Sequence, residues 1–190
     1  MRREKFAILL LCISLVVQSC LNPSTGGKRP QTETDHPTRT PQVLSETENL
    51  SSTYEKEIIL DSWLKLNIPG DIITQKLGTP VHKGEIEESG NTGVLTQMWE
   101  YPQYGLYLLM DLNNSDHIVQ LYGIEVVYPC TYKTLRHIGI GSSVLNLQQA
   151  YPEGKYSNNC FSIGDPYGIC MNFGIMADTV TSISVFQDFD

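Results

Sequence analysis

Apolar and polar residues after position 57 follow two patterns, one typical of short amphipathic helices and one typical of β-strands. Asp and Ser favour helix N-termini, whereas Gly and Pro end helices. The pattern predicts three helices. One covers 57–67, one begins at Asp71 and ends at Gly78 to Pro80, and one begins at Ser142 or Ser143 and ends at Tyr151 and Pro152.

Six further segments have the alternating or apolar, aromatic-rich character of β-strands. They cover 94–101, 104–111, 117–127, 159–163, 167–173 and 180–186. Short turn sequences separate them within each half of the chain: Pro102-Gln103, 113–115, 164–166 and Met176-Ala177. Such short connections favour antiparallel pairing of consecutive strands.

The chain also contains an internal repeat, since IPGDIITQKLGTP (68–80) aligns with IGSSVLNLQQAYP (140–152) at an offset of 72. A second alignment, of 104–121 with 167–183, matches Tyr107 to Cys170. Each unit therefore has a helix before a meander of strands, over about 58–128 and 129–190. The predicted fold class is α+β, with two tandem units that share one antiparallel sheet and place their helices on one face.

These motifs resemble a known family. A helix followed by LGTP, the hairpin WEYPQYGLYLL, and GIGSSV at the start of the repeated helix resemble the tandem units of the beta-lactamase inhibitory protein (BLIP) fold. The single-unit relatives of that fold are outer-membrane assembly lipoproteins of the BamE (SmpA/OmlA) type. The resemblance covers 58–190. It implies a noncatalytic protein that binds other proteins through sheet and loop surfaces, with no catalytic residue and no cofactor.

The N-terminus has the outline of a secretory signal peptide, with a cationic head and an apolar run from Phe6 to Val17. That run is shorter than the ~20 residues that a membrane-spanning helix needs. Residues 17–20, VQSC, resemble the bacterial lipobox, which implies removal of residues 1–19 and lipidation, including palmitate, of Cys20. An ordinary cleaved signal with an unmodified Cys20 is the alternative. We expect a lipid-anchored protein of the bacterial cell envelope, in the outer membrane and facing the periplasm or the surface.

Residues 20–57 are rich in Asn, Pro, Ser, Thr, Gly, Gln and charged side chains. Such a composition offers too little apolar surface to offset the entropy of ordering the chain. It predicts a disordered tether between the lipid and a folded domain at 58–190. A flexible coil of this length has a typical end-to-end distance of ~30 to 36 Å.

Charge and histidine spacing exclude two classes of partner. Removal of residues 1–19 leaves 10 basic and 20 acidic side chains of the original 13 and 21, without a Lys/Arg stripe, so no nucleic-acid binding is expected. The histidines are scattered and none pairs with Cys or a carboxylate at a metal-ligand spacing, so no metal site is expected. They are His36, His82, His117 and His137.

Cys130, Cys160 and Cys170 are an odd set of thiols for an oxidising compartment. If 164–166 is a three-residue loop, Cys160 faces Cys170 and a cross-strand disulfide can form between them. In that register Phe161, Ile163, Ile169, Met171 and Phe173 share the other face. A two-residue loop would instead separate the two cysteines and favour Cys130 with Cys160, and three reduced thiols remain a further alternative.

Two classes of function are compatible with the sequence. The first is a noncatalytic lipoprotein that binds an envelope or surface protein, as an outer-membrane assembly scaffold or an enzyme inhibitor. Its candidate interface residues are Tyr107, Tyr122 and Trp99, because aromatic side chains on the strands would form a binding surface if they face away from the helices. The alternative is an envelope hydrolase whose site gathers the dispersed residues His137, Asp165 and Ser142.

Overall fold

Eight antiparallel strands form one continuous sheet in the computed structural model, which describes residues 58–88, 93–112, 118–164 and 168–187. The strands are β1 (His82–Glu88), β2 (Leu95–Tyr101), β3 (Leu106–Asp111), β4 (Gln120–Val127), β5 (Lys155–Ser157), β6 (Cys160–Gly164), β7 (Ile169–Met176) and β8 (Thr179–Gln187). Their order across the sheet is β1-β2-β3-β4-β8-β7-β6-β5. The first four strands and the last four each form a meander, and β4 pairs with β8 at the centre.

Two short helices lie in the described part of the chain, each before one meander. They are α1 (Gly70–Leu77) and α2 (Val144–Ala150). Pro69 precedes the first helix, whereas the Ser143 hydroxyl caps the second by accepting a hydrogen bond from the Asn146 N–H at 3.2 Å. Within the described ranges, neither helix has the length and apolar character needed to cross a membrane.

The predicted α+β class is wrong, because the sheet dominates the fold and the helices are too short to form a layer of their own. The helix predicted at 57–67 is also wrong over its described residues. Leu60 and Leu64 exchange two backbone hydrogen bonds of 2.9 Å around a tight turn. Asp61 and Ser62 have φ angles of 50° and 62° in that turn, which an α-helix does not allow.

The sequence pattern did not predict two of the strands, β1 and β5, which lie at the two edges of the sheet. β1 contains one partly buried residue, Gly84, among exposed ones, and all three residues of β5 are exposed. An edge strand that buries neither face has no alternation of apolar and polar residues.

The two meanders are connected to their helices by equivalent hydrogen bonds. Gly70 N–H donates to the Val119 carbonyl at 2.8 Å, and Val144 N–H donates to the Asp178 carbonyl at 3.0 Å. The helices thus match at an offset of 74, so the predicted offset of 72 is wrong by two residues. The cross-strand pairs give a similar correction. Tyr107 lies opposite Glu125, and Asn172 lies opposite Ser184, so the residue equivalent to Tyr107 is Asn172 rather than Cys170.

One face of the sheet carries the hydrophobic core, and we call it the core face. The α1 backbone lies so close to it that a Cβ atom on Gly70 would be 3.0 Å from Cη2 of Trp99. Beyond α2, the Tyr151 ring packs on Phe173 with a centroid distance of 5.7 Å. Apolar residues of 58–68 and 130–138 join the same core: Ile58, Leu60, Leu64, Leu66, Ile68, Cys130 and Ile138. Helices and irregular segments together cover the core face.

The register between β6 and β7 differs from the prediction by four residues. Cys160 lies opposite Gly174, and Cys170 lies opposite Gly164. A shift by an even number of residues leaves every side chain on its original face. Phe161 and Phe173 therefore share the core face as expected, although the predicted opposition of the two cysteines is wrong.

Candidate functional site

The second face of the sheet lies opposite the core face and its helices, and we call it the open face. Directly paired residues of adjacent strands point to the same side of a sheet, so the strand register defines rows of neighbours across it. One row is polar from edge to edge, and we call it the polar row. Its members are His82, Glu100, Tyr107, Glu125, Ser184, Asn172, Ser162 and Lys155.

A second row runs beside the polar row and is mostly apolar. Its members are Met98, Leu109, Gly123, Phe186, Cys170 and Gly164. All of them except the buried Gly123 are partly exposed. The open face therefore presents an apolar strip, the apolar row, parallel to a strip of charged and hydroxyl or amide side chains.

Tyr107 lies on the open face, as predicted, between two carboxylates. Its neighbours in the polar row are Glu100 on β2 and Glu125 on β4. Burial raises the pKa of the Tyr107 phenol, and the negative charges of Glu100 and Glu125 raise that pKa further. The tyrosine and the two glutamates therefore form one electrostatically coupled group.

Both glutamates hold an oxygen away from solvent without a hydrogen-bond partner. These atoms are Oε1 of Glu100, whose residue is only 8% exposed, and Oε2 of Glu125. Burial raises the pKa of Glu125, because removal from water disfavours the ionised carboxylate. A buried carboxylate oxygen without a donor is costly, so this pair needs a physical explanation.

The other predicted aromatic residues fall on different faces. Tyr122 is partly exposed and lies at an irregularity in the β3–β4 pairing, between Leu121 of the core face and Gly123 of the open face. Trp99 lies on the core face and is only 6% exposed. Its indole N–H donates to Oε1 of Gln97 at 3.0 Å. The prediction that Trp99 belongs to a binding surface is therefore corrected.

The three cysteines in the described part of the chain, Cys130, Cys160 and Cys170, are not in disulfide bonds. Cys160 and Cys170 lie on the open face, where Cys160 Sγ is 3.6 Å from Ser162 Oγ and Asn172 Nδ2 donates to Cys170 Sγ at 3.8 Å. Cys170 lies four residues along β7 from Gly174, the residue opposite Cys160, so the two cysteines are too far apart for the predicted cross-strand disulfide in this structure. Cys130 is buried in the core, which raises the pKa of its thiol.

The residues of the alternative hydrolase site are divided between described and undescribed parts of the chain. Ser142 Oγ accepts a hydrogen bond from the Gly139 N–H at 3.0 Å, and His137 is exposed in a turn with a φ of 63°. Asp165, His36, His117 and the proposed lipidation site Cys20 lie outside the described residues. Among the described residues, no group of three His, Cys, Asp or Glu side chains is arranged to hold a metal ion.

A surface depression of about 450 Å³ lies near the start of α1. Its lining is mostly apolar, with a single carboxylate: Pro69, Asp71, Ile72, Ile118 and Val119. It does not contain the polar convergence that the hydrolase alternative requires, since neither Ser142 nor His137 lines it.

Comparison with known proteins gives no match. No protein-family model, curated protein or solved structure matches this chain. The resemblance to the BLIP fold and to BamE-type lipoproteins therefore stays a prediction.

Sequence reasoning missed Glu100 and Glu125 as site residues. Its assumed Pro102-Gln103 turn is in fact a longer connection, a 3-10 turn at Pro102–Tyr104 followed by Gly105, and this connection sets Glu100 opposite Tyr107. The position of Glu125 could have been noticed in the sequence, because this charged residue lies directly between the apolar Ile124 and Val126. An acidic residue at the open-face position of such a strand could have drawn attention to the pair.

Proposed function

We propose that this chain is a noncatalytic binding protein whose open face docks an envelope or surface protein. The observation that supports this most directly is the placement of Tyr107 between two carboxylates that each have a buried oxygen, beside the apolar row, on the face opposite the two described helices. Aromatic anchors next to apolar and polar strips are typical of protein interfaces. The resemblance to BLIP and BamE-type proteins favours the same class of function.

The dimensions of the open face suit such an interface. Eight strands at a spacing of about 4.8 Å extend over about 34 Å, and four rows of side chains at about 6.8 Å extend over about 20 Å along the strands. The product is on the order of 700 Å². A standard protein interface buries about 800 Å² on each partner. A partner that covers this face would thus form an interface of ordinary size.

We also propose that the protein is anchored to the bacterial envelope, in the outer membrane, through lipid on Cys20. The supporting feature is the VQSC sequence after an apolar run of signal-peptide length. A tether of ~30 to 36 Å would hold the domain away from the lipid surface. The partner would then be a membrane-assembly component, for which this chain is a scaffold, or an envelope enzyme that it inhibits.

Cys20→Ser is expected to release the protein from membranes or to block its processing. Each buried CH₂ of an acyl chain contributes ~0.8 kcal/mol to membrane binding, so loss of the lipid should be visible by fractionation of cells that express the chain. Cys12→Ser is the control, because it changes a cysteine within the signal segment and should leave the mature protein in the membrane fraction. A processed Cys20→Ser protein that stays in the membrane fraction would contradict lipid anchoring.

Tyr107→Ala and Tyr122→Ala are each expected to weaken partner binding about thirtyfold, since truncation of an aromatic anchor typically costs ~2 kcal/mol. The measurement is affinity capture from envelope extract, followed by identification of the partner and titration of that purified partner. Tyr156→Ala is the matched control, because Tyr156 is 50% exposed and pairs with Phe161 on the core side. Equal affinity of all three variants and the wild type would remove the open face from consideration, and turnover of an envelope substrate would contradict a noncatalytic role.

A further inference from the structure

The Glu100–Tyr107–Glu125 group spans three adjacent strands. With a spacing of about 4.8 Å between strands, the Cα atoms of the two glutamates are about 10 Å apart, and the tyrosine ring lies between them. All three side chains point to the open face. A ligand above the Tyr107 ring would therefore meet a carboxylate on each side.

Along the polar row on the β4 side, the described side chains next to the acidic pair are neutral. On the β4 side, the polar row continues through the neutral side chains of Ser184, Asn172 and Ser162 before it reaches Lys155 at the far edge, about 19 Å from Glu125. On the β2 side, His82 is the next residue of the row. A cation is the species that compensates two carboxylates whose inner oxygens have no hydrogen-bond donor.

The chemistry of the group favours a guanidinium over an ammonium ion. A guanidinium is planar, stacks on an aromatic ring and presents five donors in a fixed fork, so one group can reach carboxylates on both sides of a tyrosine. An ammonium is a compact point charge and does not offer this planar fork. Leu109 and Met98 of the neighbouring apolar row can pack against the methylene groups of an arginine side chain.

We propose that Glu100, Tyr107 and Glu125 form a receptor for an arginine side chain of the protein partner. This inference rests on the proposed function, because the arginine belongs to the protein that docks on the open face. It adds the chemistry of recognition: the partner presents an exposed arginine, with apolar residues beside it that cover Met98, Leu109 and Phe186.

The receptor can be tested with a small ligand before any partner is known. Nα-acetylarginine amide, added at millimolar concentrations, is expected to shift the NMR signals of the Tyr107 ring. The citrulline analogue has nearly the same shape without the charge, and it should produce no comparable shift. The Glu100→Gln and Glu125→Gln variants are each expected to weaken arginine amide binding at least tenfold, while Glu87→Gln should not change it, since Glu87 lies in another row of the same face.

Acidification gives a second readout. Burial raises the pKa of Glu125, so its carboxylate should take up a proton, and arginine amide binding should weaken, at a pH above the ordinary glutamate range. His82 and Tyr107 are the other titratable neighbours in the row. A His82→Gln variant that keeps the pH dependence would assign it to Glu125.

The outcomes separate this inference from the proposed function. Equal shifts with the arginine and citrulline amides, or unchanged binding in both glutamine variants, would overturn the arginine receptor. If Tyr107→Ala then still lost the partner, docking on the open face would stand without it. Loss of partner binding in Glu100→Gln and Glu125→Gln, together with loss of arginine amide binding, would support both.

Discussion

Gly105→Ala is expected to lower the free energy of unfolding by about 3 kcal/mol. Gly105 follows the 3-10 turn between β2 and β3 and has a left-handed φ of 62°. A Cβ atom there would lie 2.2 Å from the Val127 carbonyl oxygen and 2.7 Å from the Cys130 nitrogen, both of which are backbone atoms that cannot rotate away. The measurement is urea unfolding of the purified variant and wild type.

Gly141→Ala is the matched control for this prediction. Gly141 has a comparable φ of 86°, but a Cβ atom there would meet nothing within 4 Å. This variant should lose only the ~1 kcal/mol that a left-handed conformation costs an L-residue. Equal losses in the two variants would show that the connection after β2 relaxes around a side chain. That result would weaken the assigned register of Glu100 with Tyr107, which the same connection sets.

The strands that bury one face could be predicted from the sequence, because burial produces alternation. In β3, for example, Leu106, Leu108 and Met110 are buried while Tyr107 and Leu109 are partly exposed. The open-face position of Tyr107 follows from this alternation alone. It did not depend on the predicted match of Tyr107 to Cys170, which was wrong.

Register and edge strands could not be predicted in the same way. A shift of four residues between β6 and β7 leaves the alternation unchanged, so the sequence pattern cannot detect it. The face of Trp99 depends on the connection after Tyr101, which is longer than the turn that the sequence suggested. The turn at Asp61 and Ser62 has no glycine, although both residues adopt positive φ angles.

The acidic pair shows why the candidate site could not be fully predicted from the sequence. Glu100 and Glu125 are separated by 25 positions in the chain, and only the pairing of β3 with both β2 and β4 brings them to either side of Tyr107. Composition gave an acidic protein, but it did not locate the charges that the fold places together. The predicted anchors and the carboxylates therefore join into one site only after the strand register is known.

Phe173→Ala is expected to lower the free energy of unfolding by about 3 to 5 kcal/mol, whereas Phe186→Ala should lower it by no more than about 1.5 kcal/mol. Phe173 is fully buried on the core face between the Tyr151 and Phe161 rings, with centroid distances of 5.7 and 6.3 Å. Its truncation leaves a cavity that these packed rings cannot fill. Phe186 is partly exposed in the apolar row of the open face, so its truncation removes less buried surface.

For partner binding the order is reversed, because Phe186→Ala should weaken binding more than Phe173→Ala does. Phe186→Ala removes the largest side chain of the apolar row and should weaken the partner about tenfold, since ~1.4 kcal/mol corresponds to a factor of ten. Phe173→Ala, measured at a temperature where it stays folded, should bind normally because its side chain does not reach the open face. Urea unfolding and partner titration on both variants give the comparison. If each variant lost stability and partner affinity to a similar extent, the two faces would not be functionally distinct. If Phe173→Ala lost mainly stability and Phe186→Ala lost mainly affinity, the core face would stabilise the fold and the open face would bind the partner.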